Sequence, residues 1–143
     1  MLKDQSDVLF PVTAIGPESL DADNTPSAID LDQYEAAMIL IHVGIGGITF
    51  TADNKIEFKL THSDNDSDYE AVEAADVQGV TPGTGGIIKS LTAEHAAPSV
   101  TKVGYIGGKR YLKILADFSG VHGAATPICA SVVKGRAKSI APA

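Results

Sequence analysis

The sequence predicts an all-β fold: an antiparallel β-sandwich, jelly-roll-like, with extended N- and C-terminal arms. Three observations carry this. Short segments alternate apolar and polar residues with period two, most cleanly in KIEFKLTH at 55–62, the pattern of a strand with one buried face. Fourteen glycines and seven prolines in 143 residues supply turns at close intervals. No stretch keeps a helical period over several turns, and short strands with frequent turn signals are the mark of sandwiches and jelly rolls.

The elements follow in order. Residues 1–27 are polar and interrupted by Pro11, Pro17 and Pro26, which predicts an extended arm with one edge strand around Val8–Val12. The sandwich domain spans 28–136. Its first segment, 28–44, starts with Ile29/Leu31 alternation and becomes a continuous apolar run at Ala36–Val43. Tyr34, Met38 and Ile41 have helical spacing, but the β-branched content and the following Gly44-Ile45-Gly46-Gly47 favour a buried strand. Ile48–Thr51 reads as a short strand. In Lys55–His62, Ile56, Phe58, Leu60 and His62 share one face. The loop SDNDSD (63–68) is followed by a strand at Tyr69–Val72, one helical turn at Glu73–Val77 and a flexible loop at 79–86. Ile87–Leu91, Ser99–Ile106, Lys109–Phe118 and Thr126–Lys134 complete the strands, and 137–143 is a second extended tail.

Length fits one domain, large enough to bury a core without staples. A single cysteine, Cys129, excludes an intrachain disulfide framework; in its apolar run it reads as a small core residue. The formal charge of −7 and a pI of about 4.9 leave no basic surplus to displace counterions from a phosphate backbone, so neither nucleic acid nor an anionic membrane is an expected partner. The opening MLKDQSD is polar with no apolar run behind it, and no segment approaches the roughly 20 apolar residues of a spanning helix. The expectation is a chain made in a cytoplasm and kept there, or assembled from there into something larger.

The stretch GYIGGKRYLKILADFSG (104–120) poses the sharpest chemical question. A phosphate-cradling glycine loop must lie between a strand and a helix. Here Gly107-Gly108 precedes Lys-Arg-Tyr-Leu-Lys-Ile-Leu, which alternates with period two. The expectation is a two-residue hairpin turn. Arg110 shares the phase of Leu112 and Ile114, which predicts a salt bridge to a nearby aspartate.

Other constellations are sparse. Asp64, Asp66 and Asp68 have the alternate spacing of a calcium loop, but Tyr69 and Ala75 stand where an EF-hand needs Gly and Glu; the expectation is a solvated loop, with a calcium loop as the alternative. No two of His42, His62, His95 and His122 have metal-ligand spacing. Ser119 and His122 are the nearest approach to a hydrolase pair, without the Gly-x-Ser-x-Gly turn. Tyr69, Tyr105 and Tyr111 are the candidate platforms for a surface ligand such as a sugar. No cofactor and no enzyme activity is expected.

A family resemblance rests on four features: Tyr34 before an apolar strand, GITFTADNKIEFKLTHSDNDSDYEAV, then VGYIGGKRYLKI, then a closing apolar strand with an Ala-Pro tail. Together, over residues 28–143, they resemble small tailed-phage virion proteins and are similar to the head-spike base of gene transfer agents. Residues 79–98 depart from the pattern. The resemblance implies a β-sandwich or jelly roll on the outer capsid surface of a virion, in trimers or other rings. It would cement the shell by binding the major capsid protein, or serve at a vertex as the base for a head fibre protein or as a carbohydrate-binding module. No catalytic residues come with it. Val8, Leu9, Phe10, Pro11 and Val12, with Ile140 and Pro142 in the tail, are the expected capsid or inter-subunit contacts.

Overall fold

A computed structural model describes residues 4–137. The ten strands are β1 (Phe10–Leu20), β2 (Ile29–Asp30), β3 (Tyr34–Val43), β4 (Lys55–Ser63), β5 (Glu70–Ala71), β6 (Val77–Gln78), β7 (Ile87–Leu91), β8 (Ser99–Tyr105), β9 (Tyr111–Ser119) and β10 (Thr126–Ala137). All pairing is antiparallel. One sheet runs β1-β10-β3-β8-β6; the other runs β2-β9-β4, with β5 and β7 both on the far side of β4. Without the two-residue β5 and β6, β1-β10-β3-β8 faces β2-β9-β4-β7. That is the strand order of a jelly roll.

Alternation decides which residues fill the space between the sheets. Ile39, Ile41 and Val43 of β3, Ile56, Phe58 and Leu60 of β4, Leu112, Ile114 and Ala116 of β9, and Ile128, Ala130 and Val132 of β10 are all buried. Fully burying an aliphatic or aromatic side chain is worth about 1.5–3 kcal/mol, so these positions dominate the stability. The two outer faces differ. The β4/β9 sheet turns out Lys55, Glu57, Lys59, Lys113 and Asp117, with Lys59 Nζ 2.6 Å from Asp117 Oδ2. The ion pair holds the Lys59 ammonium above its ordinary value. The β3/β10 sheet turns out Met38, Leu40, His42, Cys129 and Val133, half-buried to exposed.

Several expectations are corrected. The edge strand expected in the 1–27 arm is present but runs later and longer than Val8–Val12: Phe10–Leu20 pairs with β10, with Ile15 in the core. Its prolines do not stop it, because an edge strand leaves every second N–H unpaired. The sandwich therefore starts at Phe10, and the described residues before it turn rather than extend, since Val8 and Leu9 N–H both donate to Gln5 O. Residues 48–51 form no strand, although Phe50 plugs the core. Residues 73–76 make a hydrogen-bonded turn, Asp76 N–H donating to Glu73 O, not a helical turn. Cys129 is half-buried on the outer face opposite His42, not in the core. Gly107-Gly108 is not a hairpin turn: β8 and β9 lie in different sheets, so 106–110 is the crossover between them. The glycines are still required. Gly108 has φ +79°, and a Cβ at Gly107 would lie 2.7 Å from the Tyr105 hydroxyl. The tail residues Ile140 and Pro142 lie outside the described residues.

The outer edge of β9 is covered by side chains. Beyond the two-residue β2, Asn24 donates its amide to Ile114 O (3.2 Å) and accepts from Ala116 N–H (2.7 Å), and Asp23 accepts from Phe118 N–H (2.7 Å). Asp and Asn thus replace the strand that β2 is too short to provide, which blunts an edge that would otherwise pair with another chain.

Candidate functional site

The end of the sandwich where β1 and β3 begin and β4 ends carries both features with functional potential. The first is polar and buried. His62 continues the inward phase of Ile56, Phe58 and Leu60 and is 3% exposed. Tyr105 ends β8 in phase with Val103 and is 1% exposed. The two meet across the sandwich, His62 Nδ1 lying 2.8 Å from Tyr105 Oη with the rings edge-on. Lys109 N–H donates to the same hydroxyl at 3.2 Å. Lys109 Nζ lies 2.5 Å from Glu70 Oε1 and 3.4 Å from Asp64 Oδ2. Burial pushes the Tyr105 hydroxyl up to about 12, and the Glu70 carboxylate beside Lys109 raises its ammonium.

The second feature is apolar and exposed. Val8, Leu9 and Phe10 are consecutive and 44%, 37% and 41% exposed. Phe10 stacks at a tilt on Tyr34, 5.5 Å between ring centres, and Lys134 Nζ sits 5.0 Å over the other partner of that pair, the Tyr34 ring. Pro11 and Val12 continue into β1, Pro11 exposed and Val12 half-buried against the core. Of the five N-terminal contact candidates, Val8, Leu9 and Phe10 are exposed together, and Phe10, Pro11 and Val12 belong to β1.

The acidic loop does not converge. Asp64 faces Lys109, Asp66 accepts from the Tyr69 hydroxyl, and Asp68 accepts from the Asn65 amide. Asn65 Oδ1 in turn accepts from Ser67 and Asp68 N–H, the local turn bonding that Asx residues favour. Among the described residues no group of three or more His, Cys, Asp or Glu is arranged to hold a metal ion.

The three tyrosines separate. Tyr105 is buried, which removes it as a surface platform. Tyr69 and Tyr111 are half-buried, but Lys113 Nζ lies 4.3 Å from the Tyr69 ring centre and the Arg110 guanidinium 5.0 Å from that of Tyr111. Each cation covers one face of its ring, which removes that face as a stacking platform. Arg110 makes the expected salt bridge, Nε and Nη2 each 2.9 Å from an oxygen of Asp30, at the surface rather than buried. The guanidinium holds the Asp30 carboxyl below its usual range. His122 donates to the Ser119 carbonyl, not to its hydroxyl, and packs edge-on against Phe118, so the Ser119/His122 pair has no nucleophile geometry. His42 is exposed on the outer sheet face, and His95 Nε2 lies 3.2 Å from Ser99 Oγ.

The His62–Tyr105 contact was half legible. The inward phase of His62 was visible; its partner, 43 residues on and in the other sheet, had no local signal.

No known family pattern matches the chain, and no curated protein does. Among solved structures it is similar to a protein of Bacillus endospore appendages, described as a novel family of disulfide-linked pili. The identity is 11% over 91% of this chain and 89% of that one, with a TM-score of 0.41. At that level nothing about activity or assembly transfers. Among the described residues no helix is long and apolar enough to cross a membrane.

Proposed function

We propose that this chain is a structural virion protein, a head decoration subunit that binds the major capsid protein on the outer surface of a tailed-phage head and stabilises the shell as a homotrimer. The observation that carries the reading is the open apolar run Val8-Leu9-Phe10, next to an outer sheet face bearing Met38, Leu40 and Val133. Contiguous apolar surface rimmed by polar residues marks a docking site. The VGYIGGKRYLKI stretch supports the same reading through its family resemblance.

The test is occupancy on purified heads. Deleting 1–12 would cut into β1, so the informative variant is Val8→Ser/Leu9→Ser, which leaves β1 whole. The wild type is expected to add to undecorated heads as trimers. The double variant is expected to keep its urea midpoint and lose occupancy. Full occupancy by the variant would refute the patch as the contact; failure of the wild type to bind heads would refute the reading itself.

A further inference from the structure

We propose that the cavity beside His62 is a binding site for a primary ammonium group, carried either by a lysine side chain of another molecule or by a free alkyl amine. The cavity holds about 230 Å³ and is lined by His62, Glu70, Ala71, Glu73, Asp76 and Lys109. The site does not rest on the head contact proposed above. His62 is its floor. The side chain is 4% exposed, and Nδ1 is engaged by Tyr105 Oη at 2.8 Å. Nε2 faces the cavity without a hydrogen-bond partner among the described residues. Glu70 Oε1 and Asp76 Oδ2 flank it, each 3.8 Å away, beyond direct reach. A polar atom that is buried, unpaired and aimed into a cavity calls for an occupant.

Charge says which kind. Three carboxylates and one ammonium line the space, so two negative charges are unbalanced. The Lys109 ammonium is already taken up by Glu70 and by Asp64 on the loop after β4. Asp76 Oδ2 accepts from Glu73 N–H at 2.8 Å, a bond that leaves its charge unmatched. No ion pair reaches the Glu73 carboxylate among the described residues. An anion would be repelled here, and a cation attracted.

Geometry narrows the cation. A primary ammonium has three N–H donors, and the cavity offers three acceptors: His62 Nε2, Glu70 Oε1 and Asp76 Oδ2. Atoms 3.8 Å apart can share one nitrogen at hydrogen-bond distances of about 2.8–3.0 Å. Before binding, the Tyr105 hydroxyl accepts from Lys109 N–H at 3.2 Å and gives its own proton to Nδ1, so the ring proton sits on Nε2. For Nε2 to accept from an ammonium, that proton must move to Nδ1. The Tyr105 hydroxyl then turns and accepts from Nδ1–H with its oxygen unmoved. Binding therefore carries a signature of its own, a change of His62 tautomer.

The ring ¹⁵N resonances of His62 in the full chain, recorded above neutral pH, read both binding and tautomer. The probes are n-butylammonium, putrescine and tetramethylammonium chloride at equal ionic strength. n-Butylammonium is expected to move the ring proton from Nε2 to Nδ1 saturably. Tetramethylammonium has the same charge and no N–H, and should leave it in place. An equal response to tetramethylammonium, or none to either amine, would overturn the site. Putrescine separates the sources: binding less than about tenfold tighter than n-butylammonium assigns the site to a lysine side chain, and a larger gain assigns it to a free diamine. Asp76→Asn keeps an acceptor for Glu73 N–H but turns a charge-assisted bond into a neutral one. It should weaken n-butylammonium by about tenfold, and unchanged affinity would refute the proposal. Should that variant fail to fold, Glu73→Gln decides. Glu73 is exposed, and loss of its charge should weaken binding by about twofold to threefold; wild-type affinity there counts equally against the site.

Discussion

Asn24→Ala should uncover the edge of β9, and the cost can be worked from its two bonds. The Asn24 amide serves Ile114 O at 3.2 Å and its carbonyl serves Ala116 N–H at 2.7 Å. Both flanking side chains point into the core, so the β9 backbone cannot swing out to find new partners. A hydrogen bond contributes about 0.5–1.5 kcal/mol net, and a group left unsatisfied costs about 1–3 kcal/mol when water cannot reach it. Both groups here are part-buried at an edge, so water recovers some of the loss, and the expected total is about 2 kcal/mol. For a chain of this length that lowers Tm by about 6–8 °C. The Asp23→Ala change removes one exposed bond to Phe118 N–H and should cost about half as much. Urea melts of the two single variants and the wild type supply the numbers, and light scattering supplies a second readout, because a bared edge invites strand pairing between molecules. A loss within 0.5 kcal/mol for Asn24→Ala would refute the reasoning: water would then be an adequate substitute, and the 21–27 segment would be a bystander rather than a replacement strand.

Two further outcomes follow from the crossover. Gly107→Ala places a methyl 2.7 Å from the Tyr105 hydroxyl, and overpacking of this kind costs about 1–3 kcal/mol; the urea midpoint should fall, while an unchanged midpoint would mean that the tyrosine has room to yield. Stability should also depend on pH through His62. Its folded value lies below the unfolded 6.5, so below pH 6.5 the unfolded chain takes up the proton first. The stabilisation is complete above that pH and is lost as pH falls toward the folded value. Melts of the wild type should show this loss and melts of His62→Gln should not; equal slopes would assign the loss to the carboxylates.

The core was legible because alternation is a local signal. Lys55–His62 and Lys109–Phe118 announced their buried faces residue by residue, and those faces meet in the sandwich. The jelly-roll order was reachable as a class, since short strands with frequent turns admit few architectures. Two kinds of feature were not legible. Connections between sheets look like hairpins in sequence: Gly107-Gly108 between two alternating segments carries the same local signature whether the second strand returns to the first or crosses the sandwich, and only the long-range pairings of β3 with β8 and β4 with β9 decide it. Edge strands are the other case. Pro11 and Pro17 limited the expected edge strand to about Val8–Val12, yet β1 runs through both because half its backbone groups need no partner.

The treatment of edges gives the exposed N-terminal residues their weight. β9 is shielded by Asp23 and Asn24. β1 is shielded by two prolines and by register shifts at Thr13/Ile15 and Ile15/Glu18, which twist an edge away from intruders. A fold that commits side chains and backbone irregularities to keeping its edges unpaired leaves Val8 and Leu9 open in the turn before β1 and Phe10 open at its first position. Val8 and Leu9 sit in a turn outside the sheet, so a polar substitution there leaves the β1 pairing whole. The proposed head contact would use them, and the serine double variant separates that contact from stability because it touches neither β1 pairing nor the core.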